Sequence, residues 1–345
     1  MNTPPPLLDI RNLHVEYLTQ RGPVRAVNGV SFTIDEGEVF GLAGESACGK
    51  STIAHTILRV LRPPAVITGG EILYKGMDVL EMGDRDVIGR NGNGNKDETT
   101  QLYSLESFRW SEVSMVFQSA MNSLNPVIRV GEQITDVIVK HQGVDKAQAR
   151  KRAEELMDII NIERQRLDAY PHELSGGMRQ RMVIAIALAL EPSLMIMDEP
   201  TTALDVVVQK DILQEIDRLK NELGFSILFI THDLSLMVET SDRIAIMYAG
   251  EIVEIATAEE IFNESQHPYT KGLLSAFPSI TGPRDKLSGI AGAPPNLLNP
   301  PTGCRFHPRC QFYDKLDRDS PPPLIEVSPG HLVACDCRTR PTQNS

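Results

Sequence analysis

Short apolar runs that end in polar turns recur along the chain, and segments with helical patterns separate them. "VFGLA" from Val39, "SLMIMD" from Ser193 and "FSILFIT" from Phe225 are typical of buried strands. Continuous apolar strands that alternate with helices indicate a parallel sheet covered on both faces. The pattern therefore predicts an α/β fold with a parallel core sheet.

Three other regions have patterns of their own. Short alternating runs such as "HVEYL" from His14 and "VSFTI" from Val30 predict an antiparallel β layer joined to the main sheet. From about Gly131 to Leu190, apolar residues recur at spacings of three and four, which predicts a helical insert. Residues 82–103 are polar, rich in Gly and Asn and without a period, so they are predicted to form a surface loop.

The C-terminal part changes character again, because prolines become frequent and long periodic runs stop. We therefore expect a main domain over residues 1–260, with a helical subdomain at about 119–190, and a small loop-rich domain over 261–345. A chain of 345 residues with 41% hydrophobic residues is long enough for one sizeable core and a smaller appended unit.

The net charge of the chain and its lack of recognisable targeting signals limit the classes of function that we expect. The formal net charge of -12 disfavours a nucleic-acid partner, which would need clustered Lys and Arg. The start "MNTPPPLLDI" has no basic and apolar pattern of a signal peptide, and no apolar run approaches the roughly 18 residues of a membrane span. We therefore expect a cytoplasmic protein.

A phosphate-binding motif follows the first apolar strand. Residues 44–51 fit G-x-x-x-x-G-K-[ST] between a strand and a helical pattern, which is the context that this motif requires. Gly44 and Gly49 let backbone N–H groups turn towards phosphate oxygens, and the helix N-terminus adds partial positive charge. Lys50 would reach the outer phosphates, and the hydroxyl of Ser51 would bind Mg²⁺.

The rest of this loop is also expected to contact the nucleotide. Cys48 within it predicts sensitivity to thiol reagents. The further loop residues expected at the nucleotide are Glu45, Ser46, Ala47, Cys48 and Thr52.

Polar side chains end three of the predicted strands. Asp198 can hold magnesium, and the adjacent Glu199 can polarise a water for in-line attack on the γ-phosphate. His232 ends another strand and could orient that water, because ligands gather at the carboxyl ends of parallel strands. Gln118 ends an apolar run and offers an amide that can bind metal or water.

A second anion-binding helix end is predicted at "LSGGMRQR". Ser175 resembles an N-cap, and Gly176 and Gly177 leave N–H groups accessible before the helix "MRQRMVIAIALAL". This helix end has no lysine-bearing loop of its own, so we expect it to complete a phosphate site elsewhere.

These motifs, in this order, resemble the nucleotide-binding subunit of an ATP-binding cassette (ABC) transporter over roughly residues 7–260. The resemblance implies an ABC-type P-loop NTPase fold with an antiparallel β subdomain and a helical subdomain. It also implies that the chain binds ATP and Mg²⁺, and that Glu199 and His232 promote hydrolysis. By the same resemblance, Tyr17 stacks on adenine. The expected magnesium ligands are Ser51, Gln118 and Asp198.

The resemblance further implies that two cassettes sandwich two ATP molecules, each completing the site of the other. Asp205 in "TTALD" resembles the aspartate that links the two sites across the dimer. Coupling helices of membrane subunits would dock around Gln118 and "NPVIRVGEQI". The residues expected to act on the nucleotide of the second cassette are Ser175, Gly176, Gly177 and Gln180.

The segment with the C-terminal cysteines indicates which branch of the ABC transporter ATPases the chain resembles. "APPNLLNPPTGCRFHPRC" is similar to the C-terminal extension of oligopeptide and dipeptide importer ATPases, in some of which four cysteines hold a [4Fe-4S] cluster. The thiols here are Cys304, Cys310, Cys335 and Cys337, and Asp317 is an alternative fourth ligand. An iron-sulfur cluster is the favoured interpretation, with zinc and unligated cysteines as alternatives.

The resemblance as a whole implies an ATPase subunit that energises an importer of peptides, with oligosaccharides or nickel as other cargoes. Its implied partners are a second ABC ATPase subunit, two transmembrane permeases and an extracytoplasmic solute-binding protein. The subunit would lie on the cytoplasmic face of the membrane, attached through the permeases. The alternative is a soluble ABC-type ATPase that is not coupled to transport.

Overall fold

The computed structural model describes residues 5–83, 104–118, 123–202, 205–275, 289–312 and 320–335. They divide into two compact units. Unit 1 comprises the described parts of Met1–Ile34, Val39–Gly76 and Phe229–Ser345, and unit 2 comprises those of Asp35–Glu38 and Met77–Leu228. The division at residue 260 is not tested by this partition and stays a prediction. Most of the loop 82–103 lies outside the described residues.

The strands of the described residues are, in chain order, β1 Leu8–Thr19, β2 Gly22–Ile34, β3 Val39–Ala43, β4 Ala65–Tyr74, β5 Met77–Asp78, β6 Val113–Val116, β7 Leu194–Asp198, β8 Ser226–Thr231, β9 Arg243–Tyr248, β10 Glu251–Thr257, β11 Ile325–Ser328 and β12 His331–Val333. The α-helices are α1 Lys50–Ile57, α2 Leu105–Ser107, α3 Val130–Gln142, α4 Lys146–Ile159, α5 Gly176–Leu188, α6 Val206–Leu223, α7 Leu234–Thr240, α8 Ala258–Glu264 and α9 Pro268–Ser275.

The antiparallel layer predicted for the N-terminal part is present in unit 1. Strand β1 pairs antiparallel with β2 on one side and with β4 on the other, and Leu8 lies opposite Ile34 and Tyr74. The side chains of Leu8, Ile10 and Val15 on β1 are almost completely buried. Their burial explains the alternating pattern, because one face of a strand meets the core and the other faces solvent.

A second sheet in unit 1 carries the phosphate-binding motif. Its strands lie in the order β11-β12-β10-β9-β3. Strands β3 and β9 are parallel, as the continuous apolar runs predicted, whereas β9 pairs antiparallel with β10. β12 pairs antiparallel with both β10 and β11. The C-terminal region, predicted as loop-rich, therefore also adds two short strands to this sheet.

Unit 2 contains the predicted helical insert and a parallel strand pair. Strands β6 and β7 are parallel, with Met115 opposite Ile196. Helices α3, α4 and α5 lie within the segment predicted as helical. Asp145 caps α4 by accepting a hydrogen bond from the N–H of Gln148, and α3 ends at Gly143 in the left-handed conformation that favours glycine. Strand β8 begins in unit 2 and ends in unit 1.

Within the described residues, no helix is both long and apolar enough to span a membrane.

Candidate active site

The loop between β3 and α1 has a course that only glycine permits at two positions. Gly44 has φ +150° and Gly49 has φ +112°, both in the region that L side chains rarely adopt. A Cβ atom on Gly44 would lie 2.1 Å from the carbonyl oxygen of Met247, and one on Gly49 would lie 2.3 Å from that of Ala26. The two glycines therefore hold the loop close against neighbouring backbone.

Lys50 places a positive charge inside this loop. It is the first residue of α1, and its side chain is only 6% exposed. The Nζ atom donates hydrogen bonds to the carbonyl oxygens of Gly44 at 2.7 Å and Glu45 at 3.0 Å. No side chain caps the helix at Gly49, so the N–H groups of the first turn remain available for an anion. The loop thus combines an ammonium group with a helix N-terminus, as the motif predicts.

Four further residues of the loop and the first turn of α1 were predicted to contact the nucleotide or its magnesium. Cys48 is 4% exposed, and burial raises the pKa of its thiol although Lys50 acts in the opposite direction. A buried, neutral thiol reacts slowly, which argues against the predicted sensitivity to thiol reagents. Ser46 and Ala47 are exposed at the tip of the loop, and Ser51 is half-buried in the first turn of α1.

Tyr17 and His232 also belong to unit 1. The hydroxyl of Tyr17, on β1, lies 3.3 Å from the Oγ1 atom of Thr52. Tyr17 is partly exposed, so the structure brings an accessible aromatic ring to the end of the loop. His232 is exposed and follows β8 directly.

The carboxylates predicted for catalysis lie in unit 2. Asp198 ends β7 and is 3% exposed. The Oε2 atom of Glu199 accepts hydrogen bonds from Nε2 of Gln118 at 2.8 Å and from Oγ1 of Thr202 at 3.1 Å. Glu199 has φ +48°, which is uncommon for a residue with a Cβ atom. These two hydrogen bonds orient the carboxylate of Glu199.

The helix end at "LSGGMRQR" forms as predicted. The Oγ atom of Ser175 accepts a hydrogen bond from the N–H of Met178 at 3.3 Å and caps α5. A cavity of about 440 Å³ in unit 2 is lined by Ser175, Gly177 and two arginines, Arg166 and Arg181. Glu163 and Asp211 also line this cavity and balance the charge of the two arginines, so the anion-binding role of this helix end stays a prediction.

Three other predicted residues of unit 2 have different environments. Gln180 is 1% exposed, and its side chain is therefore not on the surface of the chain, which does not favour a contact with a second chain. Gly176 lies in the first turn of α5, partly exposed. Asp205 is exposed and caps α6 by accepting a hydrogen bond from the N–H of Val208. Their roles across a dimer stay predictions.

The predicted site residues therefore form one set in each unit. In unit 1 the structure brings Tyr17 and Lys50 to the phosphate loop. In unit 2 it brings Gln118 and Glu199 into direct contact. The roles assigned to these residues at one bound nucleotide stay predictions.

Sequence reasoning missed two residues that touch the loop, Tyr269 and Arg309. Both make hydrogen bonds to Glu45. The acidic side chain of Glu45 within a phosphate loop is the one unusual feature that the sequence offers there, and it does not show which residues contact it.

The C-terminal thiols do not complete a metal site within the described residues. Cys304, Cys310 and Cys335 are buried and form no disulfide. The pKa of Cys304 is raised to about 11, mainly by burial, and Cys335 and Cys310 are close enough to add to the shift. No group of three or more His, Cys, Asp or Glu side chains in the described part of the chain is arranged to hold a metal ion. Cys337 and Asp317 lie outside the described residues.

Comparison with known families identifies the class of protein. Residues 27–202 match the model of the ABC transporter family. Residues 253–315 match the oligopeptide/dipeptide transporter C-terminal region. The first match covers the phosphate loop and the strand that carries Asp198, and the second covers Arg309.

Relatives match along nearly the whole chain. The oligopeptide transport ATP-binding protein OppD of Bacillus subtilis is 41% identical over 331 residues, which cover 95% of this chain and 87% of OppD. The dipeptide transport ATP-binding protein DppD of Lactococcus lactis is 44% identical over 330 residues, covering 95% of this chain and 89% of DppD. The chain therefore belongs to the ABC transporter family, and it carries the C-terminal region of the oligopeptide and dipeptide branch.

Solved structures agree with the fold. The dimeric, post-hydrolysis ATP-binding cassette MJ0796 bound to ADP and Pi matches with a TM-score of 0.59 and 26% identity, over 73% of this chain and 98% of that chain. CbiO1 from Clostridium perfringens matches with a TM-score of 0.60 and 26% identity, over 75% of this chain and 91% of that chain. The predicted ABC-type P-loop NTPase fold is confirmed.

Proposed function

We propose that this chain is the ATP-hydrolysing subunit that energises an importer of peptides. The observation that carries the proposal is the glycine-enforced loop around Lys50, in a chain whose relatives are named as oligopeptide and dipeptide transport proteins over nearly their whole length. Those names support peptides over oligosaccharides or nickel as the cargo.

ATP and Mg²⁺ fit the residues that the motifs assign to them. The loop cannot accept side chains at Gly44 and Gly49, which suits a phosphate chain lying against backbone N–H groups. Tyr17 is available for the adenine ring. Magnesium neutralises charge on the β- and γ-phosphates when it is bound. The residues proposed to hold it are Ser51, Gln118 and Asp198.

Hydrolysis is assigned to Glu199 and His232. The Glu199 carboxylate, oriented by Gln118 and Thr202, accepts a proton from the water that attacks the γ-phosphorus, and the bond from phosphorus to the bridging oxygen of ADP breaks. Lys50 stabilises the negative charge on the phosphate oxygens. His232 orients the water or the γ-phosphate.

We further propose that the working unit contains two ATPase chains. The relative MJ0796 was solved as a dimer. Ser175, Gly176 and Gly177 would reach the nucleotide of the second chain, and Asp205 would link the two sites. Permeases and a solute-binding protein complete the importer, and this chain attaches to the cytoplasmic face of the membrane through the permeases.

We propose a [4Fe-4S] cluster in the C-terminal region from the resemblance of its cysteine pattern. Cys304, Cys310 and Cys335 are buried and form no disulfide, but the described residues contain no group of three side chains arranged to hold a metal ion. Cys337 or Asp317 would supply the fourth ligand. Such a cluster would be structural, because thiolates fixed by a metal tie distant segments together.

The function is tested by measuring ATP hydrolysis by the full chain with its partner subunits in lipid vesicles, with and without the permeases. We expect permease-dependent hydrolysis that Lys50→Ala abolishes, while Lys146→Ala, which removes an exposed lysine of α4, leaves it unchanged. Equal hydrolysis without permeases would favour the soluble alternative. Full hydrolysis by Lys50→Ala would contradict the assigned nucleotide site.

A further inference from the structure

Glu45 puts a negative charge into the loop assigned to phosphate. Two carboxylate oxygens of Glu45 accept hydrogen bonds from Arg309, Oε2 from Nη1 at 2.7 Å and Oε1 from Nη2 at 3.0 Å. The side chain of Arg309 is 5% exposed and that of Glu45 is 27% exposed. This is a bidentate, largely buried ion pair, the geometry in which such a pair is strongest.

Arg309 is also held in place by contacts other than its ion pair with Glu45. Its Nε atom donates a hydrogen bond to the carbonyl oxygen of Ala291 at 2.9 Å, and Nη2 donates to that of Ile290 at 3.3 Å. The guanidinium group also lies 5.7 Å from the ring centre of Tyr248, to whose hydroxyl Nη1 donates at 3.4 Å. These contacts fix the orientation in which the guanidinium of Arg309 donates its two hydrogen bonds to the Glu45 carboxylate.

A second contact holds the backbone of the same loop residue. The N–H group of Glu45 donates a hydrogen bond of 2.9 Å to the hydroxyl oxygen of Tyr269, which is completely buried. The ring of Tyr269 lies 4.6 Å from that of Tyr248 and 5.4 Å from that of Phe306. Tyr269 and Arg309 both lie in the matched C-terminal region.

We infer that Arg309 and Tyr269 are positioning residues for the nucleotide, and that the C-terminal region is thereby required for tight ATP binding. The inference rests on the proposed function of the loop. Arg309 neutralises the Glu45 carboxylate, which would otherwise repel the polyphosphate at short range. Tyr269 fixes the backbone of the loop in the course that the two glycines permit.

Two variants test whether Arg309 acts on ATP affinity through the charge of Glu45. Arg309→Ala leaves the Glu45 carboxylate unpaired beside the phosphates, so both ATP affinity and stability should fall. Glu45→Gln in the Arg309→Ala background removes that charge but does not restore the ion pair. Because Glu45→Gln also removes an unpaired, partly buried carboxylate and so recovers part of the stability, the free energy of unfolding of each variant is measured beside its ATP affinity.

The test is equilibrium binding of MgATP to the full chain, with KM and kcat for hydrolysis measured in the complex. We expect Arg309→Ala to weaken binding about tenfold or more, because the unpaired carboxylate repels the phosphates, and to raise KM more than it lowers kcat. Arg309→Lys should lose less. Arg309→Ala with Glu45→Gln should return to within about twofold of the wild type, because the repulsion is gone.

A control variant shows whether a loss of ATP affinity is specific to Arg309. Arg11→Ala removes an exposed ion pair with Asp9 in the same unit and should leave ATP affinity unchanged. Unchanged binding in Arg309→Ala, or no recovery in the double variant, would overturn the inference. Absence of ATP binding by the wild-type chain itself would instead refute the proposed function.

Discussion

The Nε2 atom of Gln118 donates a 2.8 Å hydrogen bond to the Oε2 atom of Glu199. The two residues are 81 positions apart in the sequence. Gln118 lies two residues after the end of β6, and Glu199 directly follows the parallel strand β7. The side-chain amide of Gln118, after β6, thus fixes the orientation of the Glu199 carboxylate, after β7. This contact orients Glu199 for proton transfer. We therefore expect that replacing Glu199 affects hydrolysis more specifically than replacing other residues of the site.

Replacing Glu199 by Gln should abolish hydrolysis while MgATP still binds. The amide keeps the size of the carboxylate but cannot accept the proton of the attacking water, so turnover should fall at least about 100-fold. Steady-state hydrolysis and equilibrium binding of MgATP measure the two effects. Glu222→Gln removes an exposed carboxylate of α6 that pairs with Arg218 and should change neither quantity. Turnover near the wild-type value would contradict the role of Glu199.

Replacing Gly49 by Ala should abolish MgATP binding, because the added methyl group would meet the carbonyl oxygen of Ala26 at 2.3 Å. The loop would have to move away from its position. Gly76→Ala is the matched control, since Gly76 also has positive φ, +80°, but has no atom within 4 Å of its Cβ position. That control should lose only about 1 kcal/mol of stability and should bind MgATP normally. Similar affinities for the two variants would contradict the steric argument.

The sequence predicted the core strands, the antiparallel layer and the helical insert, because each has a strong periodic pattern. The motif at Gly44 was equally informative, since its chemistry is local to a few residues. The contact of Arg309 with Glu45 was not predictable in the same way. It joins residues 264 positions apart, and no local pattern shows which acidic side chain an arginine in an irregular segment will meet. The hairpin of β11 and β12 was missed because short strands between prolines carry little periodicity.

Stability should fall with acidification, and His267 should cause part of the loss. Burial lowers the pKa of His267 from 6.5 to about 3, and its Nδ1 accepts a hydrogen bond from the N–H of Tyr269 at 3.1 Å. Between these pKa values the unfolded chain binds a proton that the folded chain does not, so the stability present above pH 6.5 is lost as the pH falls. At pH 5 the loss from this residue is about 2 kcal/mol.

The variant His267→Gln tests this assignment. Glutamine can still accept the hydrogen bond but does not titrate, so the variant should lose less stability than the wild type between pH 7 and pH 5. Chemical denaturation at several pH values measures the difference. Identical slopes for His267→Gln and the wild type would contradict the assignment.

The buried thiols should bind iron if the C-terminal region holds a cluster. Protein isolated without oxygen should then be brown and contain iron and sulfide in near-equal amounts. Cys310→Ser should abolish both, whereas Cys48→Ser, which replaces a buried thiol of the phosphate loop, should keep them. Comparing Cys337→Ser with Asp317→Ala identifies the fourth ligand, because only the true ligand's loss lowers the iron content. A colourless wild-type preparation without iron would count against the cluster and favour zinc or unligated cysteines, which zinc analysis of the same sample distinguishes.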